Sequence, residues 1–416
     1  MGWILFLSLF ALILTGMPIA LAIGFASLVV LYLGDLNLVL LPQRMFVGTD
    51  SFPMIAIPFF ILAGDLLAKG NVSKRLVDFA DCCVGWIRGG LALVAVLGSM
   101  FFAAISGSSA ATTAAIGTPL IPEMKEKGYR VPFAAALIAA AGTIGVIIPP
   151  SVPMILYAII ADQSVAQLFL NGFLPGILMG LVLMLHAVHV AKRDNYPVGR
   201  RFSYKNIVHH FKNAFFGLLT PIIILGGIFS GFFTPSESAV IAVDYAIFVA
   251  LFIYRDINFR QLYAIIVNAG ITMAMIMFLI ATSTIFSWVL ANWSIPAEIA
   301  KSVLSITDNP LLVLLLIDIV ILIAGIFMET ASALIILTPV FLPVVGQLGI
   351  NLIHFGIVMV MGLAIGMITP PVAINLYVAS SITGESLERL SRQILPMLLL
   401  LILILLLTSY VPLLFY

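Results

Sequence analysis

Charge is the scarcest property of this 416-residue chain. Asp, Glu, Lys and Arg together make up 9% of it, and 62% is hydrophobic. Soluble domains carry about a quarter charged residues, so a soluble globular fold is excluded. Cysteine is nearly absent. Cys82 and Cys83 are adjacent, which offers neither a disulfide framework nor a spaced pair of metal ligands. His186 and His189 share a helical face but have no third ligand nearby. The sequence also lacks a His-Glu-x-x-His zinc motif, a Gly-x-Ser-x-Gly elbow and a Gly-x-x-x-x-Gly-Lys phosphate loop. No enzyme is expected, nor direct use of ATP. The alternating pattern of a membrane β-barrel is missing as well. A net charge of +1 points to no charged partner, and no nucleic acid is expected.

What is present is a succession of apolar runs of about 20 residues, each able to cross about 30 Å of hydrocarbon. The fold class is therefore an all-α polytopic membrane protein. The opening segment, residues 1–24, lacks a basic flank and is too long for a cleaved signal, so it reads as the first span. Lys and Arg gather at residues 69–88, 125–130, 192–212, 255–260 and 389–392, leaving only Arg44 and Lys301 outside. Basic loops face the cytoplasm. The loops ending at Arg88 and beginning near Glu123 must then share a side, although a long apolar segment joins them. That segment must enter and leave by one face as a re-entrant hairpin, with its tip near 106–110. By the same reasoning residues 311–345 form a second hairpin opening to the opposite side. Single spans are expected near 262–283, 353–379 and 395–414.

The chain repeats itself. "GTPLIP" (117–122) resembles "LTPVFLP" (337–343), and "GVIIPPSVPMILYA" (145–158) resembles "GMITPPVAINLYVA" (366–379). A weaker match joins "TGMPIALAIG" from Thr15 to "TPSESAVIAV" from Thr234. Two halves of opposite orientation form an inverted-topology repeat, a mark of secondary transporters with a midplane site. Each half supplies a hairpin tip and a span broken by Pro-Pro. Proline removes an amide donor and clashes with the preceding turn. Unwound backbone inside a membrane is tolerable only where it is buried or lines a wet cavity. There its carbonyls, with Ser and Thr hydroxyls, are uncharged oxygen ligands that suit sodium. Half-helix N-termini beside them favour an anion.

"ISGSSAATTAAIGTPLIPEMKEKGY", "GTIGVIIPPSVPMILYA", "GGIFSGFFTPSESAVIA" and "GMITPPVAINLYVA" together resemble the large membrane subunit of the tripartite ATP-independent periplasmic (TRAP) transporters. The resemblance spans essentially the whole chain. It implies an elevator-type ion-transporter fold with inverted repeats and two re-entrant helical hairpins. It further implies multi-pass insertion in the bacterial inner membrane and sodium-driven uptake of an organic acid such as a sialic acid, C4-dicarboxylate or keto acid. The implied partners are a separate small four-helix membrane subunit and a periplasmic solute-binding protein. Carried over residue by residue, a first sodium site involves Ser106, Gly107, Ser109, Gly145, Ile148 and Pro149. A second involves Gly325, Met328, Thr330, Gly366, Thr369 and Pro370. Glu329 sits where the repeat places Ser109, which departs from symmetry. Thr112, Thr113, Ser332 and Asn375 are the expected substrate contacts. The expected division is scaffold and arm helices over 1–88, then hairpin, broken span and following span over 89–191. A cytoplasmic linker follows over 192–213, then scaffold and arm helices over 214–310. The second hairpin and broken span occupy 311–390, and a last span 391–416.

Other features carry ordinary readings beside functional ones. Isolated Ser and Thr in membrane helices commonly bond their own helix. Asp65, Glu237, Asp244, Asp318 and Glu329 are intramembrane acids and so site candidates, although Asp65 and Glu237 fit span ends. For Asp318 and Glu329, ion coupling and a structural hydrogen bond stand as alternatives. Trp3, Trp86, Trp288 and Trp293 fit an interfacial belt. Amphipathic pieces at 36–50 and 295–307 suit arms lying along the membrane surface. A stand-alone sodium/dicarboxylate symporter is the competing function, and a channel built on two hairpins is a more distant one.

Overall fold

Amides in hydrocarbon must be paired within their own segment, which a helix does. The computed structural model describes residues 1–199, 202–307 and 309–414. Arg200 and Arg201 of the basic linker, Asp308 of the segment before the second hairpin, and the last two residues of the C-terminal span lie outside the described residues. The described residues are almost wholly helical, apart from loops and one isolated bridge between Arg88 and Val198. Among them, 8 helices are long and apolar enough to cross a membrane.

The first half contains α1 (Gly2–Leu14), α2 (Ile19–Leu33), α3 (Leu40–Thr49), α4 (Ala56–Lys69) and α5 (Val72–Val84). A hairpin of α6 (Gly90–Ser106) and α7 (Ser109–Glu126) follows, then α8 (Val131–Gly142), α9 (Val152–Ile160) and α10 (Val165–Arg193). The second half opens with α11 (Tyr204–Phe229), α12 (Pro235–Phe248), α13 (Phe259–Asn292) and α14 (Ile295–Ile306). Its hairpin is α15 (Pro310–Phe327) and α16 (Thr330–Gln347), followed by α17 (Leu352–Gly366), α18 (Ile374–Thr383) and α19 (Leu387–Tyr410). Hairpin therefore answers hairpin, and broken span answers broken span. The single segment expected over residues 1–24 is instead two helices. α1 stops where the Thr15 hydroxyl bonds Leu12 O at 2.6 Å and Gly16 turns to φ 83°, and Pro18 precedes α2. The span expected over 262–283 is the middle of α13, whose 34 residues at about 1.5 Å each far exceed the hydrocarbon thickness.

The halves interlock. α2 packs on α13, α4 on α12, and α11 on α5, so helices of each half wall in those of the other. Arg75 on α5 reinforces this seam. It pairs with Asp256 at 3.2 Å and lies over the Tyr254 ring at 4.0 Å. The second group holds the hairpins. α8 contacts α19, α16 contacts α9, and Tyr157 donates to Leu352 O at 2.6 Å across the repeat boundary.

Both expected span breaks are present. After α8 a 3-10 turn, Thr143–Val146, leads into unwound residues before α9. α17 ends at Gly366, and α18 begins only at Ile374. Ser151 closes the first break. Its hydroxyl donates to Val146 O at 2.6 Å and accepts from Met154 N at 3.3 Å, which caps α9. In the second break Ala373 takes a left-handed conformation, and Asn375 N bonds Met367 O at 3.1 Å.

The expected arms are helical over α3 and α14, and Arg44 on α3 lies over the Trp288 ring of α13. Glu237 is an N-terminal cap. Its carboxylate accepts from Thr234 N at 2.8 Å while Glu237 N donates to Thr234 Oγ1, a capping box that "TPSE" already spells. Asp244 is exposed on α12. The linker begins against the first hairpin. Gly89 N donates to Pro197 O, and Arg130 and Arg193 both pair with Asp194.

Candidate functional site between the hairpin tips

The first tip turns on Gly107, whose φ of 59° lies in the left-handed region that glycine enters without penalty. Ser108 then caps α7, accepting from Ala111 N. The hydroxyls fold inward. Ser106 Oγ lies 2.9 Å from Thr112 Oγ1, which in turn donates to Ser108 O at 2.8 Å. The broken span presses against this turn. A Cβ on Gly145 would stand 2.5 Å from Thr112 Oγ1 and 2.6 Å from Ser108 O, and one on Gly107 would meet Pro150 O at 2.9 Å. Two glycines thus let the broken span approach the tip closely, with Gly145 against Thr112 Oγ1 and Ser108 O and Gly107 against Pro150 O. A set of neutral oxygens of this kind suits a small hard monovalent cation. Among the described residues no three His, Cys, Asp or Glu side chains gather to hold a metal ion.

At the second tip Glu329 caps α16, its carboxylate accepting from Ala331 N at 3.0 Å. Here the backbones meet directly. A Cβ on Gly366 would lie 2.5 Å from Gly325 Cα, and one on Gly325 would lie 2.6 Å from Leu363 O. Thr330 Oγ1 donates to Met367 Sδ at 3.1 Å, and Thr369 Oγ1 to Ile365 O at 3.0 Å. These two hydroxyls are hydrogen-bonded within the protein, as those of Ser106 and Thr112 are at the first tip. The cap positions also align Glu329 with Ser108, which pairs Ser109 with Thr330. The repeat register inferred from sequence is one residue off at the tips.

Between the tips lies a cavity of about 320 Å³. One wall is tip residues Ser106, Gly107, Ser108 and Ala111, another is Val152 and Pro153 at the start of α9, and a third is Glu329 and Ala331. α4 closes it with Ile61, Gly64, Asp65 and Ala68, and α13 with Thr272 and Ile276. Gly64 is what lets α4 approach, for a Cβ there would sit 3.3 Å from Ser106 Cα. The N-termini of α7, α9 and α16 all end on this cavity. Each carries a partial positive charge that favours an anion by about 0.3–1 kcal/mol, more when desolvated, and at α16 the Glu329 carboxylate already accepts from Ala331 N. Asp65 and Glu329 set carboxylates at the rim of the same space.

Ser106, Gly107 and Gly145 come together around the first tip. Ser109 turns away, accepting from Asn375 Nδ2 at 2.7 Å. Ile148 packs its side chain toward Gly176, and Pro149 neighbours Pro150 in the chain without lining the cavity. In the second half Gly325 and Gly366 meet, and Thr330 bonds the neighbouring Met367. Met328 ends α15, and Thr369 and Pro370 lie in the break. None of the expected substrate contacts lines the cavity. Thr112 and Thr113 are fully buried, with hydroxyls bonded to Ser108 O and Ser109 O, and Ser332 is buried behind Glu329. Asn375, also fully buried, ties Ser109 to Ala139 O at 3.2 Å. These four support the tips from behind. Asp65, Ala111, Thr272 and Ala331 are cavity residues that the sequence reading left out or placed elsewhere, and Asp65 lies on the wall rather than at a solvated span end. The small Gly64 beside Asp65 was the available signal.

Residues 6–414 match the family described as "Tripartite ATP-independent periplasmic transporter, DctM component". The isethionate TRAP transporter permease protein DctMQ of Oleidesulfovibrio alaskensis is 42% identical over 97% of this chain, which spans only 64% of that protein. The C4-dicarboxylate TRAP transporter large permease protein DctM of Pseudomonas aeruginosa is 44% identical over 89% of this chain and 86% of its own length. The crystal structure of the Alcanivorax borkumensis YdaH transporter is similar at a TM-score of 0.63 and 15% identity, covering 88% of this chain and 86% of that one, a likeness of fold. The chain is a multi-pass membrane protein of the inner membrane, and it belongs to the DctM component of the tripartite ATP-independent periplasmic transporters.

Proposed function

We propose that this chain is the large permease subunit through which an organic acid enters the cell, coupled to sodium and carried by an elevator movement. The observation that carries the reading is the convergence of three helix N-termini on one cavity between the hairpin tips. Such a place suits the carboxylate of the substrate. Sodium, as the co-transported ion, suits the neutral oxygens of Ser106, Ser108, Thr112 and Pro150 next to it. Cargo names among relatives include isethionate, C4-dicarboxylate, 2,3-diketo-L-gulonate and sialic acid, and each is an organic acid. In this reading the re-entrant hairpins α6–α7 and α15–α16 move with the broken spans α8–α9 and α17–α18. The mutually packed α2, α4, α12 and α13 stay fixed. Because the cavity lies between the two groups, their relative movement would present it to either face. A small four-helix membrane subunit and a periplasmic solute-binding protein complete the transporter.

Uptake of radiolabelled acids into proteoliposomes tests the proposal. The vesicles hold this chain with its small partner, with and without binding protein and an inward sodium gradient. Accumulation is expected only when both are supplied. Sodium-driven accumulation without the binding protein would assign the chain to stand-alone symport. Accumulation without sodium would remove the coupling.

A further inference from the structure

Asp318 stands apart from the cavity between the tips. It sits on α15, is 1% exposed, and neither carboxylate oxygen has a hydrogen-bond partner among the described residues. The Ser409 hydroxyl of α19, fully buried and likewise unpartnered, faces it. The neighbours of Ser409 bind the same seam. Thr408 O meets His354 Nε2 of α17 at 2.8 Å, and the Tyr410 hydroxyl donates to Leu311 O of α15 at 3.2 Å. With Nε2 bonded to a carbonyl, His354 carries a hydrogen there, and a second one on Nδ1 would lack an acceptor among the described residues. Its buried Nδ1 has no partner.

Among the described residues no Lys or Arg pairs with Asp318. α15, α16 and α17 contain no Lys or Arg, and Asp318 and His354 are their only acidic and imidazole side chains. Arg389 and Arg392 lie on α19, but near its first residue, Leu387, whereas Ser409 is next to its last, Tyr410. A buried carboxylate without a counter-charge or hydrogen bonds costs several kcal/mol. A neutral carboxyl costs far less, because it carries no net charge and its O–H can use the one hydroxyl that faces it. Since basic loops face the cytoplasm, the seam lies toward the opposite face.

We propose that Asp318 is a proton-binding site on the second hairpin, holding its proton in the seam of α15, α17 and α19. Exchange is with the face opposite the basic loops. Ionisation places an unpaired charge in that seam and loosens the docking of α15, so external pH acts on hairpin mobility independently of the cavity.

Isotope-edited infrared spectroscopy of the full transporter in lipid, with labelled aspartate, tests this. At neutral pH a protonated-carboxyl C=O band is expected. It should be lost in Asp318→Asn, be retained in Asp65→Asn, and disappear reversibly as pH is raised. Ser409→Ala should move the band, because the hydrogen-bond partner is lost. This second variant keeps the test open if Asp318→Asn folds poorly. An ionised Asp318 at neutral pH, or a band that Ser409→Ala leaves in place, would overturn the proposal.

Discussion

Ser106 and Thr112 show how one residue type does different work a few positions apart. Both are buried, and their hydroxyls meet at 2.9 Å beside Gly107 and Gly145. Ser109, in the same run, points the other way and bonds Asn375. A Ser106→Ala, Thr112→Val double variant should therefore raise the sodium concentration for half-maximal uptake by about tenfold, the factor of a 1.4 kcal/mol loss. Asn375→Ala should leave sodium dependence unchanged. It should lower the melting temperature instead, because Ser109 and Ala139 lose a buried partner worth about 1–3 kcal/mol. If Asn375→Ala altered sodium affinity as strongly, the separation of binding from support would fail. The sequence run "SGSSAATT" announced polar chemistry at a hairpin tip, but not the direction of each hydroxyl. Direction depends on whether a residue caps the helix, as Ser108 does, or begins it, as Ser109 does. That one-residue ambiguity also misaligned Glu329.

The hairpins and broken spans are the elements most legible in the sequence. Pro149-Pro150 and Pro370-Pro371 cannot sit in unbroken helix, and breaks stand at both. The cavity wall was less legible. α4 and α13 come from different halves, and nothing in their apolar sequences says which face meets a tip. Asp65 looked like a span-end residue until the packing of Gly64 on Ser106 oriented it. The break at Gly16 and Pro18 was missed because the residues on either side are uniformly apolar. If the hairpins move against α4, tying them should stop transport. In a Cys82→Ser, Cys83→Ser background, a reducible thiol crosslinker between Ala68→Cys and Ala111→Cys spans that boundary. Uptake should fall to background and return on reduction. Full uptake with the crosslink in place would mean that the two groups do not move apart.

At the scale of the molecule, the linker between the halves is anchored before it departs. Asp194 closes α10 and receives Arg193 and Arg130, while Tyr129 and Tyr196 stack at 4.3 Å. The hydrogen bond from Arg193, with the Arg130 charge, holds the Asp194 carboxyl below the usual carboxylate range despite partial burial. Burial raises Tyr129 to about 12, which keeps it neutral beside this latch. Because the folded value of Asp194 is depressed, its contribution is fully present above the ordinary aspartate value. It is lost as pH falls from there through the folded value. Thermal melts should show wild-type stability declining over that acidic window, with a shallower decline in Asp194→Asn. Identical slopes would show that the latch does not tie the linker down. The overall plan of two inverted halves followed from the repeat, whereas their interlocking could be seen only in the packing of α2 on α13 and α4 on α12.

In the proposed mechanism the helix N-termini around the cavity receive the carboxylate of the transported acid. Ala111 lines that cavity in the first turn of α7. Ala111→Glu adds a negative charge there, and Ala111→Gln adds nearly the same volume without it. The decisive measurement is the uptake rate of the identified acid by these two variants, in proteoliposomes with both partners and a sodium gradient. Ala111→Glu is expected to be slower than Ala111→Gln by about tenfold or more. Equal rates in the two would contradict it, because the cavity would then be indifferent to charge.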